Sequence, residues 1–151
     1  MEYQFPIKDI VLRTLKNQDV IDKLKEAKLD VYETTALINS TLGLLILPQQ
    51  ALLDKIQDIS HENLTKEKWP IPVICKEYNQ KPSLKELIRH LRNSIAHSRI
   101  TFTTDDRREI SGIELKDFDQ RKNKATWEAS MDIPQLRIFL KKFSELILDQ
   151  K

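Results

Sequence analysis

Apolar positions recur at helical spacing from the first proline onward. Ile7, Ile10, Val11 and Leu15 follow Pro6, which suits the first turn of a helix. The polar stretch "KNQD" interrupts them, and Val20, Ile21, Leu24 and Ala27 predict a second, short helix. Asp30 with Glu33 three residues later reads as a capping pair. The segment after it, "VYETTALINSTLGLLIL", turns apolar on all sides toward its end, as a central buried helix would. Gly43 inside it costs about 1 kcal/mol relative to Ala, and close approach of a neighbouring helix is the expected compensation. Pro48 should kink or end that helix, with "QQALLDKI" continuing at a changed angle. From Ser60 to Gln80 the periodicity dissolves, and "KWPIPVI" reads as a loop or extended connection.

The pattern is clearest after Pro82. Ser83 and Glu86 form a capping box in "SLKE". Leu84, Leu87, Ile88, Leu91 and Ile95 then make one apolar stripe, and the helix should stop near His97. Beyond it the period changes to two. "ITFTT" alternates, "DDRR" reads as an exposed turn, and "GIEL" follows with Gly112 marking a bulge. In "ATWEASM", Ala125, Trp127, Ala129 and Met131 alternate with Thr126, Glu128 and Ser130. Asp132 and Pro134 open a last helix that buries Leu136, Leu140, Phe143 and Ile147. The predicted fold is a mainly α domain spanning 1–151, with a small antiparallel hairpin or meander of two or three strands before the C-terminal helix.

Composition narrows the class. The chain has 151 residues, 40% hydrophobic and 32% charged, which suits a globular protein with a real core. Its two glycines match a helix-rich fold with few tight turns. A net charge of +2 gives no global argument for nucleic acid, so any such argument must be local. Cys75 is the single cysteine, so no intrachain disulfide forms, and a cytoplasmic location is the expectation. The opening "MEYQFPIKDI" does not read as a signal peptide, and "LGLLIL" is too short for a membrane span.

One local argument stands out. No acid occurs from Leu87 through Thr104, while that stretch carries Arg89, His90, Arg92, Asn93, His97 and Arg99. At ~3.6 residues per turn, His90, Asn93 and His97 share one flank of the helix, and Arg92 and His97 lie roughly 140° apart. One copy does not easily close both side chains on a small ligand, whereas two copies around a two-fold axis do. Elsewhere the residues offer little. His61, His90, His97 and Cys75 lack metal-ligand spacing, so no metal or other cofactor is expected. Two isolated glycines cannot build a phosphate loop, and Ser94 and Ser98 read as polar filler without a nucleophile elbow. Trp69 and Trp127 read as core or interface anchors.

Arg92-Asn93-Ser94-Ile95-Ala96-His97 resembles the signature of the HEPN superfamily: an arginine, a polar residue beside it, and a histidine after four intervening positions near a helix end. "ALINSTLGLLILPQQ" is similar to the central helix of stand-alone bacterial HEPN proteins, and "HSRITF…ISGIEL" to the strand insert some of them carry. The resemblance implies a HEPN-like helical bundle and metal-independent RNA cleavage, in which a 2′-hydroxyl attacks the adjacent phosphate. It further implies an active site shared by two subunits of a homodimer. Arg92 and His97 take the catalytic positions and Asn93 a supporting one. The residue types suit the chemistry: histidine titrates near neutrality, and arginine offers a planar, permanently charged fork to phosphate. Arg89, His90 and Arg99 are candidate RNA-binding residues. A toxin or defence effector is the corresponding biological class, with an antitoxin or regulatory protein as a further partner and no membrane. The alternative is a non-catalytic HEPN dimerisation, interaction or sensor module, because a charged helix flank is ordinarily solvated and a terminal histidine can simply favour the helix dipole.

Overall fold

Helix and sheet share the chain. Among the described residues about half are helical, and one antiparallel sheet holds four strands in the order β1-β4-β3-β2. The computed structural model describes residues 6–48, 50–119 and 121–150, and of residues 50–52 the backbone only. The first half of the stretch read for a leader, residues 1–5, lies outside the described residues. Among those described, no helix is long and apolar enough to cross a membrane. The chain forms two compact units, one built from residues up to Ile56 together with Phe139 onward, the other from Gln57 to Ile138.

The first unit contains α1 (Pro6–Glu26), α2 (Glu33–Ile46), α3 (Gln50–Lys55) and the later turns of α6 (Ile133–Leu148). "KNQD" does not interrupt α1, which is one helix of 21 residues. The stretch lacks Gly and Pro, and its polar groups support the helix. Gln18 is buried and its Nε2 donates to Asp22 Oδ1 at 3.0 Å, while Lys23 pairs with Asp19 at 2.6 Å, one turn apart. The Asp30 cap does not form. Tyr32 occupies the N-cap position of α2 without a side-chain bond, and Glu33 turns instead to Lys25 Nζ at 3.3 Å. In α2, Leu37, Ile38, Leu44 and Leu45 are buried, but Ile46 and the following Leu47 are exposed. No helix closes on Gly43 either: a Cβ there would meet nothing within 4 Å. Gly43 instead lines a groove of about 240 Å³ with Thr14, Asn17, Asn39, Ser40, Leu44 and Leu47. In α6, Phe139 and Phe143 stack with centroids 5.6 Å apart, and Leu140 and Ile147 are buried beside them in sequence.

The second unit contains α4 (His61–Lys66), β1 (Val73–Ile74), α5 (Leu84–Ala96), β2 (Ile100–Thr104), β3 (Ile110–Asp119) and β4 (Lys124–Asp132). The region read as one long connection thus holds a short helix and a strand. Helix α4 is N-capped by Ser60, whose hydroxyl accepts from the Asn63 amide, and buries only Leu64. One apolar residue in six cannot register as a period. Strand β1 is two residues long, pairs antiparallel with β4, and makes the sheet larger than the predicted hairpin or meander.

Helix α5 matches its sequence pattern. Both bonds of the Ser83–Glu86 capping box are present, Leu84, Leu87, Ile88 and Leu91 are buried, and Ile95 is half-buried. The helix packs against β3. On β3, Ile113, Leu115 and Asp117 share the buried face and lie opposite Met131, Ala129 and Trp127 of β4. The bulge sits beside Gly112: Thr103 pairs with Gly112 but Thr104 with Ile110, leaving Ser111 as the extra residue. Gly112 is required by close approach, since a Cβ there would lie 2.6 Å from the Met131 carbonyl oxygen. Asp132 caps α6 reciprocally: its Oδ1 accepts from the Gln135 amide at 2.7 Å, and Gln135 Oε1 accepts from the Asp132 amide at 3.0 Å.

The two glycines should therefore respond with opposite sign. Gly43→Ala adds a helix former in open space and should stabilise by about 1 kcal/mol. Gly112→Ala forces backbone apart and should destabilise by roughly 1–3 kcal/mol. Urea midpoints of the two variants beside wild type measure both; equal shifts would contradict the assigned environments.

Candidate active site

The Arg-x4-His segment occupies the last two turns of α5 and its exit. His97 is the C-cap, and its backbone N–H donates to the Asn93 carbonyl at 3.1 Å. Ser98 then adopts a left-handed conformation with φ 53°, the Ser98 amide donates to Ile95 O at 3.0 Å, and the Arg99 amide to Ser94 O at 2.7 Å. This is a Schellman termination with serine where glycine is usual. It fixes the direction in which the chain leaves His97 and starts β2, because Arg99 O next accepts from the Lys116 amide of β3 at 3.1 Å. The His97 side chain is exposed, and Arg92 is half-buried on the border of the apolar stripe. Burial draws the Arg92 guanidinium below its ordinary value by removing it from water. A partly desolvated cation interacts more strongly with an anion than a fully hydrated one.

The other flank of α5 is organised by a residue that the linear pattern did not single out. His90 Nδ1 lies 2.8 Å from Asp117 Oδ2, and Asn93 Nδ2 donates to the same oxygen at 3.2 Å. Asp117 Oδ1 accepts from the Phe118 amide at 2.8 Å. A carboxylate accepts only, so Nδ1 of His90 carries a proton. The remaining Nε2 is 3.4 Å from Arg89 Nη2, which suits it as an acceptor. The His90 ring stacks on Trp127 with centroids 5.0 Å apart and planes 6° from parallel. Asp117 is 5% exposed, so the ends of the pair are held by packing as well as by hydrogen bonds.

The six sequence-predicted residues thus divide. Asn93 and His90 are brought together, as their shared flank implied, and Arg89 reaches the outer nitrogen of His90. Arg99 is drawn away from them: its guanidinium lies over the Phe118 ring at 4.4 Å, and its buried Nη1 has no partner among the described residues. Arg92 and His97 stay on separate sectors of the helix, roughly 140° apart by its geometry. Trp127 is a core residue, in keeping with its strand alternation, but also the platform for His90. Asp117 was missed because it is 24 positions from Asn93 in the chain. The signal was present: continuing the alternation of Ile113 and Leu115 places Asp117 on the buried face. A charge at such a position asks for a partner.

Among the described residues, no group of three or more His, Cys, Asp or Glu side chains stands together as a metal site. The arrangement offers an exposed imidazole, a partly desolvated guanidinium and a side-chain amide, backed by a buried carboxylate. Groups of these types are chemically able to bind an anion and to move a proton. The HEPN pEK499 p136 family model matches the chain across residues 1–151, and the chain belongs to that family. No curated protein and no solved structure matches it.

The exit geometry gives a stability test. Replacing Ser98 by Gly relieves left-handed strain of about 1–2 kcal/mol and gives back about 0.4–1 kcal/mol through the freer unfolded chain. Ser98→Gly should thus raise stability by roughly 0.5–1 kcal/mol. Thermal melts followed by circular dichroism read this directly, and a lower melting temperature would contradict the left-handed assignment.

Proposed function

We propose that this protein is a metal-independent endoribonuclease whose active site is composed across a homodimer. The observation that carries the reading is the state of the motif in a chain of the HEPN pEK499 p136 family: His97 is exposed at a fixed helix end, and Arg92 is partly desolvated on the same helix. The chemistry balances with two copies. The imidazole of one His97 takes the proton of a 2′-hydroxyl, and the resulting alkoxide attacks the adjacent phosphorus. The bond to the 5′-oxygen breaks, and the imidazolium of the second copy's His97 protonates that oxygen. The products are a 2′,3′-cyclic phosphate and a 5′-hydroxyl. Arg92 places its fork on the phosphate oxygens while negative charge grows there. The angular separation of Arg92 and His97 on one helix favours a site completed by a two-fold partner, isologous as such contacts are. A toxin or defence effector restrained by an antitoxin or regulatory protein is the biological role this activity fits.

Four outcomes test the reading. Purified protein should cleave total RNA in EDTA and leave 2′,3′-cyclic ends. His97→Ala should slow cleavage by roughly 10²–10⁴-fold while melting within about 0.5 kcal/mol of wild type. Arg92→Lys keeps the charge but loses the fork, and should also slow cleavage. If His97→Ala cleaves like wild type, His97 is not catalytic and a non-catalytic HEPN module is the better description. Light scattering should show a dimer at micromolar concentration; a monomer that still cleaves RNA would remove the composite site.

A further inference from the structure

We infer that Asp117 is a positioning residue that fixes the amide of Asn93 so that an acceptor oxygen, and not a donor, faces the substrate, where it takes a hydrogen bond from a ribose 2′-hydroxyl. The inference rests on the reading of α5 as an RNA-binding surface.

The argument begins with what a carboxylate can do. Asp117 Oδ2 lies 3.2 Å from the terminal amide of Asn93, and a carboxylate can only accept, so the atom facing it is Nδ2. The amide is planar, and its oxygen therefore points away from the strand. Asn93 is exposed, whereas Asp117 is buried, which favours the solvent side for that oxygen. An asparagine on a free helix surface would show either end. Here rotation about its last bond would set oxygen against oxygen beside a buried charge, which the fold resists. The carboxylate is itself fixed. Its other oxygen accepts from the Phe118 amide, and its first is shared with His90 Nδ1, whose ring is clamped on Trp127. The β3–β4 register shift between Asp117 and Phe118, which leaves Thr126 as an extra residue, lies at the same place. Bulges of this kind re-aim a side chain.

Around Asn93 the outward groups of α5 are otherwise cationic or neutral: Arg89 one turn before it and His97 one turn after it. Such donors meet phosphate oxygens. A fixed acceptor between them has a different complement, a hydroxyl donor. The 2′-hydroxyl is the group that distinguishes RNA from DNA at a given site. Asp117, although it would not touch RNA, thus sets that discrimination.

The test is a ratio of affinities, so it does not depend on turnover. In a His97→Ala background, fluorescence anisotropy compares an oligoribonucleotide with the oligodeoxyribonucleotide of the same sequence, thymine replaced by uracil. The parent should bind the RNA about 5–10-fold more tightly, the effect of one hydrogen bond. Asp117→Asn frees the Asn93 amide to show either end, and the ratio should fall toward one. Asn93→Asp combined with Asp117→Asn rebuilds the pair in reverse. The amide now at position 117 donates to the carboxylate at position 93, whose second oxygen faces outward as an acceptor, and the ratio should return. Changes in net charge alter both affinities together and cancel. A merely structural Asp117 would not be rescued by that exchange, and melting temperatures of all variants monitor folding. The inference is overturned if the parent shows no preference or no binding, if Asp117→Asn keeps the full ratio, or if the double variant fails to regain it while melting like the single. Should the wild type prefer RNA but never cleave it, the endoribonuclease reading fails and the role of Asp117 stands.

Discussion

A buried carboxylate sets the geometry of the α5 surface. Taking such a charge out of water carries a penalty of several kcal/mol, and the ion persists only where donors replace its hydration. Asp117 has three, from His90, Asn93 and the Phe118 amide. Two of them stand three residues apart on α5, so they lie on one helix face. Rolling the helix by a single residue would turn both donors through ~100° and strand the charge. The apolar stripe of Leu84, Leu87, Ile88 and Leu91 tolerates small rotations, because hydrophobic contact is not directional. The carboxylate does not. It converts a helix that merely adheres to the sheet into one with a defined azimuth, and the directions of Arg92, Asn93 and His97 are set with it.

Legibility in the chain tracks the length of each pattern. Helix α5 carries four buried apolar residues and a two-sided cap, so its limits read directly from Ser83 to His97. Strand β4 and helix α6 were legible for the same reason: each repeats its period several times. Short elements fail this condition. Helix α4 has Leu64 alone to signal it, and β1 has two residues. At "KNQD" the opposite error arises. A polar run resembles a break, but Gln18 bonds Asp22 and Asp19 bonds Lys23 within the helix, and such i, i+4 pairs continue it. Of the candidate site, Arg92, Asn93 and His97 are close together in the chain and stand out in the sequence. Asp117 became a partner of Asn93 only when β3 was laid beside α5.

Scarcity of glycine explains why other helix ends were hard to place. Lys28, Lys68 and Ser98 all have positive φ, and the residue after each sends its amide back to a carbonyl five positions earlier: Leu29 to Leu24, Trp69 to Leu64, Arg99 to Ser94. All three are Schellman terminations made without glycine. Contacts of the next residue offset the strain at two of them. Trp69 and Leu64 are both buried, as the apolar pair that accompanies such endings should be. Arg99 is instead held by its backbone bond to β3 and by the Phe118 ring.

The two histidines of α5 show how surroundings, and not residue type, divide the labour. They are seven positions apart, about 10 Å along the axis, and share a flank. His90 has one nitrogen on a buried carboxylate, the other near Arg89, and a face on Trp127. With its proton directed inward and its ring immobilised, it is suited to hold the helix in place. His97 caps the helix with its backbone and leaves its ring exposed, beyond the last turn, where a ligand can reach it. The same imidazole is a structural donor in one position and suited to carry a proton in the other. The difference lies in Asp117: a carboxylate from another element fixes the His90 ring, while the His97 ring, two turns away, lies exposed at the helix end.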